Sequence, residues 1–252
     1  MPTASPYTCY SFSLSNIAKI SLSLLRGKQR SFQMDASQFI QSIHPPAVIH
    51  GHENISKHGP MLILLNHYAR SGFLIIWAAF AISAALPVES CWVMTRAWTA
   101  TGKFFGGIQS TITEALFTKI AKMYGFISMP PMPPDPRDAL DRAIGVRNLI
   151  QKARKMENVA ICMAPEGRDY PGGNLGWSAE GSGKLILQLS QYIPTTIPAG
   201  VYEKQGSLHI HFGKELNIKQ FQGPLVDNKQ VDRFMMKAIA QLIPENLRGD
   251  FT

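Results

Sequence analysis

Charge is scarce in this chain. Asp, Glu, Lys and Arg make up 17% of its 252 residues, while 45% are apolar; an average soluble domain carries roughly 25% charged residues. That balance makes the bulk of the chain globular, one large domain or a core domain with an appendage. Acids are the scarcer sign, 17 against 25 Lys and Arg, for a net charge of +8. The excess favours anionic partners such as membrane surfaces or phosphorylated small molecules. Beyond RGKQR at 26–30 there is no basic block, and no zinc-finger spacing, so nucleic acid is not an expected partner. Cysteine is nearly missing too: Cys9, Cys91 and Cys162 form no C-x-x-C and leave an odd count, which excludes a disulfide framework and fits a reducing compartment. Long apolar runs are also lacking. FLIIWAAFAISAAL, residues 73–86, has 14 uncharged residues, short of the roughly 20 that a spanning helix needs, so a buried core helix is expected. No basic stretch followed by an apolar h-region and a small-residue cleavage site opens the sequence; secretion is not expected and a cytoplasmic setting is.

Several chemistries lack their residues. There is no G-x-S-x-G, so the nucleophile elbow of an α/β-hydrolase esterase is missing. GSGK at 181–184 fails as a phosphate-binding loop. His209 and His211 alternate within a strand and face one side, but no third ligand stands nearby, so no metal is expected and edge-strand histidines are the reading.

What is present alternates strand and helix. PAVIHG (46–51) reads as a short strand and MLILLN (61–66) as a strand buried on both faces. A helix is expected directly afterwards, at 69–86. CWVMTR (91–96), GFISM (125–129) and VAICMAPEG (159–167) are further strands, with helices over 111–124 and 136–155, the latter capped by Asp135. The proline loop PPMPPDP follows GFISM. A glycine-rich loop from 168 leads into the helix KLILQLSQY. TTIPAGVYE and SLHIHFGKEL form a late strand pair, and a helix near 228–243 closes the chain. The expected fold is α/β, a central mostly parallel mixed sheet flanked by helices over 46–252, preceded by a partly helical extension over 1–45. Within that extension, residues 13–30 mix Ile17, Ile20, Leu22, Leu24 and Leu25 with Lys19, Arg26, Lys28 and Arg30. Such a helix either lies in a bilayer interface or docks on its own domain.

In open α/β sheets ligands gather at the carboxyl ends of strands. Two strands end in chemically rich clusters: LILLNH, closing on Asn66 and His67, and AICMAPEGRD, carrying Glu166, Gly167, Arg168 and Asp169. These blocks resemble the glycerolipid acyltransferases of the lysophosphatidate and glycerol-3-phosphate type. That family shows a strand, Gly-x-Glu-Asn, a turn with Gly-Pro, a second strand and Asn-His, matched by VIHGHENISKHGPMLILLNH. Its Phe-Pro-Glu-Gly-Thr-Arg resembles Ala164-Pro165-Glu166-Gly167-Arg168, and IPAGVY supplies its proline-containing strand at Pro198. The similarity runs over residues 46–215.

The resemblance implies transfer of an acyl group from a thioester, acyl-CoA or acyl carrier protein, to a hydroxyl of a lysophospholipid or lipid-like acceptor, with no resident cofactor. His67 would be the general base and Glu166 a second catalytic residue. Asn66, Arg70, Arg96, Gly167 and Arg168 are candidate substrate-binding residues, and a membrane surface is a candidate peripheral partner. A histidine suits the base role because its pKa lies near working pH. Being just ahead of a helix N-terminus and near Arg70 would keep it neutral. The sequence departs from the family in three places. The Asp five residues after the family histidine is Gly72 here, no Arg follows the GFISM strand before Arg137, and the Thr before Arg168 is missing. The chain thus reads as a divergent member. An impaired acyl-binding protein on the same scaffold and a thioester hydrolase are the alternatives.

Overall fold

The computed structural model describes residues 7–96, 106–221, 223 and 227–252, with backbone alone over 106–112. Seven strands form one sheet: β1 (Val48–His50), β2 (Met61–Leu65), β3 (Glu89–Thr95), β4 (Ile127–Met129), β5 (Val159–Met163), β6 (Thr195–Lys204) and β7 (Ser207–Phe212), in the order β1-β7-β6-β2-β5-β3-β4. Every pairing is parallel except β6 with β7. β2 lies between β5 and β6, which is why all five of its residues are apolar and buried. Successive side chains go to opposite faces: Met61, Ile63 and Leu65 enter one core cluster, Leu62 and Leu64 the other.

The helices are α1 (Leu14–Leu25), α2 (Phe32–Ile40), α3 (Ile76–Ala85), α4 (Gly106–Tyr124), α5 (Ala139–Lys155), α6 (Ser182–Leu189) and α7 (Asn228–Ala240). α2 and α3 cover the first face; buried residues of α5, α6 and α7 fill the second. α3 is buried from Trp77 to Ser83, so the 73–86 run ends as a core helix. Gly145 lets α5 approach the sheet: a β-carbon there would stand 2.6 Å from Met129 Sδ.

The partly helical segment 1–45 divides in two, and two expectations are corrected. α2 presents Phe32, Ala36 and Phe39 at i, i+4 and i+7 to the main core, with the Phe39 ring stacked 4.7 Å from Phe80, whereas α1 has no buried residue. The helix expected at 69 begins only at Ile76, because the chain first turns through Ser71-Gly72, with Gly72 at φ +79°. And β7 is not an edge strand. β1 covers it, and His50 on β1 lies 2.9 Å from His209 Nδ1 by its Nε2.

Candidate active site

β2 and β5 are neighbours, with Leu64 opposite Met163, so their carboxyl ends deliver His67 and Glu166 to the same edge of the sheet. Where β2 peels away from β6, Asn66 continues the ladder with its side chain. Its Oδ1 accepts from Val201 N at 2.7 Å and its Nδ2 donates to Val201 O at 2.9 Å. This buried amide is a clamp, and its polar atoms are taken by the backbone rather than offered to a substrate.

Glu166 is 2% exposed. Its Oε2 accepts from the backbone N–H of His67 at 2.5 Å and its Oε1 from that of Gly176 at 2.7 Å. One carboxylate thereby fastens the end of β2 and the glycine-rich loop together. Burial pushes its pKa up to about 7 against the opposing pull of those two N–H donors. Glu166 holds the histidine's backbone, so its geometry is that of a positioning group.

His67 is half-buried. Burial lowers its pKa, partly opposed by the charge of Asp169. Neutrality therefore comes from desolvation, not from a helix N-terminus, since α3 starts nine residues later. The ring's Nδ1 is buried and meets no hydrogen-bond partner, which leaves Nε2 as the nitrogen that can meet a substrate. No carboxylate occupies the place of the family's aspartate. At Gly72 a β-carbon would come 3.4 Å from Arg70 Nη1.

Two of the candidate arginines are engaged internally. Arg70 forms a bidentate pair with Glu203 at the end of β6, a carboxylate that also accepts from Tyr10 and Tyr68 hydroxyls. Arg96 sits among Glu114, Asp138 and Asp141 at 2.9, 3.7 and 2.5 Å. Arg168 differs: its guanidinium lies 4.8 Å over the Tyr170 ring, with Nη2 3.2 Å from that hydroxyl, and the residue is exposed. Gly167 is exposed at φ +67°, with Met132 of the proline loop against the position of a β-carbon. Glu203 carried no signal in the sequence, being an acid at a strand end whose partners are over 130 residues away. Among the described residues no group of three or more His, Cys, Asp or Glu is placed to hold a metal. A cavity of about 380 Å³ lined by Glu89, Cys91, Tyr124 and Lys152 opens at the opposite, amino-terminal edge of the sheet, away from His67.

The sheet is a mostly parallel α/β sheet whose histidine and glutamate blocks meet at its carboxyl edge. The acyltransferase family model matches residues 47–201. The chain belongs to that family. Among solved structures it is similar to the 1-acyl-sn-glycerophosphate (LPA) acyltransferase PlsC from Thermotoga maritima, at 13% identity and a TM-score of 0.49, covering 92% of this chain and 84% of that one. None of the curated proteins matches.

Proposed function

We propose that this protein moves a fatty acyl group from a thioester, acyl-CoA or acyl carrier protein, to the hydroxyl of a lysophospholipid or lipid-like acceptor, with His67 as general base. The observation that carries the reading is the junction of the two blocks: Glu166 of one fixes the backbone of His67 in the other at 2.5 Å. Neutral His67 removes the acceptor's proton through Nε2 as that oxygen attacks the thioester carbonyl. The resulting imidazolium returns the proton to the departing thiolate. Arg168, with no carboxylate on it among the described residues, suits an anionic headgroup or the phosphates of the donor.

The membrane-surface reading of α1 rests on its exposure: Leu14 is 83% and Leu25 81% exposed, beside Lys19, Arg26 and Lys28. Among the described residues no helix is long and apolar enough to cross a membrane.

The test is release of free CoA from acyl-CoA in the presence of a panel of lysolipids. Acceptor-dependent release that His67→Ala lowers by about 10²-fold or more is expected. Release that ignores the acceptor would make the protein a thioester hydrolase. The unpartnered Nδ1 and Gly72 favour a second reading, an impaired acyl-binding protein. Acyl-chain binding with no turnover by wild type would decide for it.

A further inference from the structure

His67 has no partner on its buried Nδ1, so the placement of its ring rests on how firmly its backbone is held. Ahead of the ring, Asn66 is clamped to Val201 and the His67 N–H is on Glu166. Behind it, the loop is tied to one carboxylate, Glu203 near the end of β6, whose side chain is 1% exposed. Each oxygen of Glu203 accepts two donors. Oε1 takes Arg70 Nη2 at 2.7 Å and the Tyr10 hydroxyl at 2.9 Å; Oε2 takes Arg70 Nε and the Tyr68 hydroxyl, the latter at 3.3 Å. Arg70 also closes its own loop, with Nη1 on Ser71 O at 2.6 Å and its carbonyl accepting from Phe73 N at 3.1 Å. The N-terminal segment completes the arrangement. The Tyr7 ring lies 4.0 Å from the Arg70 guanidinium, Thr8 Oγ1 donates to Gly206 O at 3.0 Å in the β6–β7 turn, and the Tyr10 ring packs on Phe73 and Trp77. Burial keeps both phenols protonated, Tyr68 being pushed up to about 12, so each remains a donor at working pH. Glu203, Tyr7 and Tyr10 all lie outside residues 47–201, the stretch that the family model matches.

We propose that Arg70 and Glu203 are positioning residues for His67: their buried pair, completed by Tyr68 and the N-terminal Tyr7–Tyr10 segment, holds the histidine's loop from behind while Asn66 and Glu166 hold it from the front. None of these contacts involves a substrate group, so the loop is set in advance of binding. The bidentate fork of Arg70 fixes direction as well as distance. A carboxylate already occupied by four donors has no second arrangement to slip into. Stability alone is a poor reason for such a pair, because burying both charges costs about as much as their attraction returns, and apolar side chains of similar size would serve as well. Position is a better one. A loop loosened by even about 1 Å moves Nε2 away from the acceptor oxygen, and a misplacement of that size can cost about 10²-fold in rate.

The effect on rate rests on the acyl-transfer reading, whereas the effect on the loop does not, and the two are measured separately. Arg70→Lys, Glu203→Gln, their double variant and Tyr10→Phe are compared with wild type. The loop is followed by hydrogen–deuterium exchange of residues 66–73 and by the rate at which diethyl pyrocarbonate modifies His67, read by peptide mass. The rate is that of CoA release from acyl-CoA with a lysolipid, measured where each variant is folded. Faster exchange at 66–73 and faster modification of His67 are expected, with kcat lower by about tenfold to 10²-fold and KM little changed. The double variant is expected to lose little more than the worse single one, because both changes break one contact. Tyr10→Phe, which deletes a hydroxyl and keeps the ring, is expected to act in the same direction and less; with Arg70→Lys it decides the matter if Glu203→Gln does not fold. Leu149→Ala, in the other core cluster, is the control for stability and is expected to lower the urea midpoint with kcat unchanged. Exchange unaltered at 66–73, kcat kept at the wild-type value in Arg70→Lys, or an equal kcat loss in Leu149→Ala overturns the proposal. A wild type that transfers no acyl group, with variants that still loosen the loop, retains the pair as the holder of His67 and removes the acyl-transfer reading instead.

Discussion

Gly72 is the residue at which this chain departs most plainly from its family, and its surroundings decide what a repair would do. Its φ of +79° is one that Asp tolerates better than most residues. But a β-carbon there would stand 3.4 Å from Arg70 Nη1. A carboxylate at 72 therefore meets a guanidinium first and competes with Glu203 for it. Gly72→Asp is expected to leave the rate of CoA release at or below the wild-type value, and to loosen the Arg70–Glu203 pair. A rise of tenfold would mean that the seat is open to His67 after all. The histidine itself was legible, because an imidazole ending a fully apolar strand is conspicuous. Its partners were not. Glu166 acts through a backbone N–H 99 residues away, Asn66 through Val201 at a separation of 135, and Arg70 through Glu203 at 133. Side-chain pairings over such distances depend on strand order, which no local pattern encodes.

The two N-terminal helices differ in composition and in what they do: α1 is LSNIAKISLSLL, without an aromatic residue, and α2 is FQMDASQFI, with two. α2 is capped by Ser31, whose Oγ accepts from Met34 N, and its aromatic face is in the core. Phe39 is 2% exposed, so Phe39→Ala is expected to cost about 3–5 kcal/mol in denaturant unfolding. In α1, Leu14→Ser with Leu25→Ser removes side chains already in water. That pair is expected to change stability by no more than about 0.5 kcal/mol while weakening sedimentation with anionic lipid vesicles. Unchanged vesicle binding would leave α1 without a membrane role. Strands were the most readable elements, since β2 (MLILL) and β5 (VAICM) are apolar runs bounded by turn residues. The helix expected at 69–86 was drawn too long for a physical reason. Phe73 is buried and continuous in hydropathy with α3, yet Ser71-Gly72 turns the chain and Phe73 N bonds back to Arg70 O at 3.1 Å. Hydrophobicity reported burial there, not helix.

At the scale of the whole molecule, two buried titrations oppose each other. The Glu166 carboxyl is raised from 4.5 to about 7 in the folded protein. Between those values the native state binds more protons than the unfolded chain, so this group's contribution is full below about pH 4.5 and is lost as pH rises through 7. His67 is lowered from 6.5. Between its native value and 6.5 the unfolded chain binds more protons, and stability rises with pH. Each slope is at most about 1.4 kcal/mol per pH unit. They offset each other below 6.5, and only the falling limb of Glu166 remains above it. Glu166→Gln cannot ionise, so it should abolish the loss between about pH 6.5 and 7.5. The rise that His67 causes at lower pH should then stand alone. Urea midpoints collected across that range for wild type and variant check this, and two parallel curves would refute it. The consequence reaches function. His67 is a competent base only once it is neutral, and the carboxylate that fixes its backbone is increasingly charged, and increasingly costly to keep buried, as pH rises further. CoA release is therefore expected to rise with pH through the native pKa of His67 and then to hold, because the ionised Glu166 accepts more strongly from the His67 and Gly176 N–H groups. A fall in the rate through pH 7 would refute this.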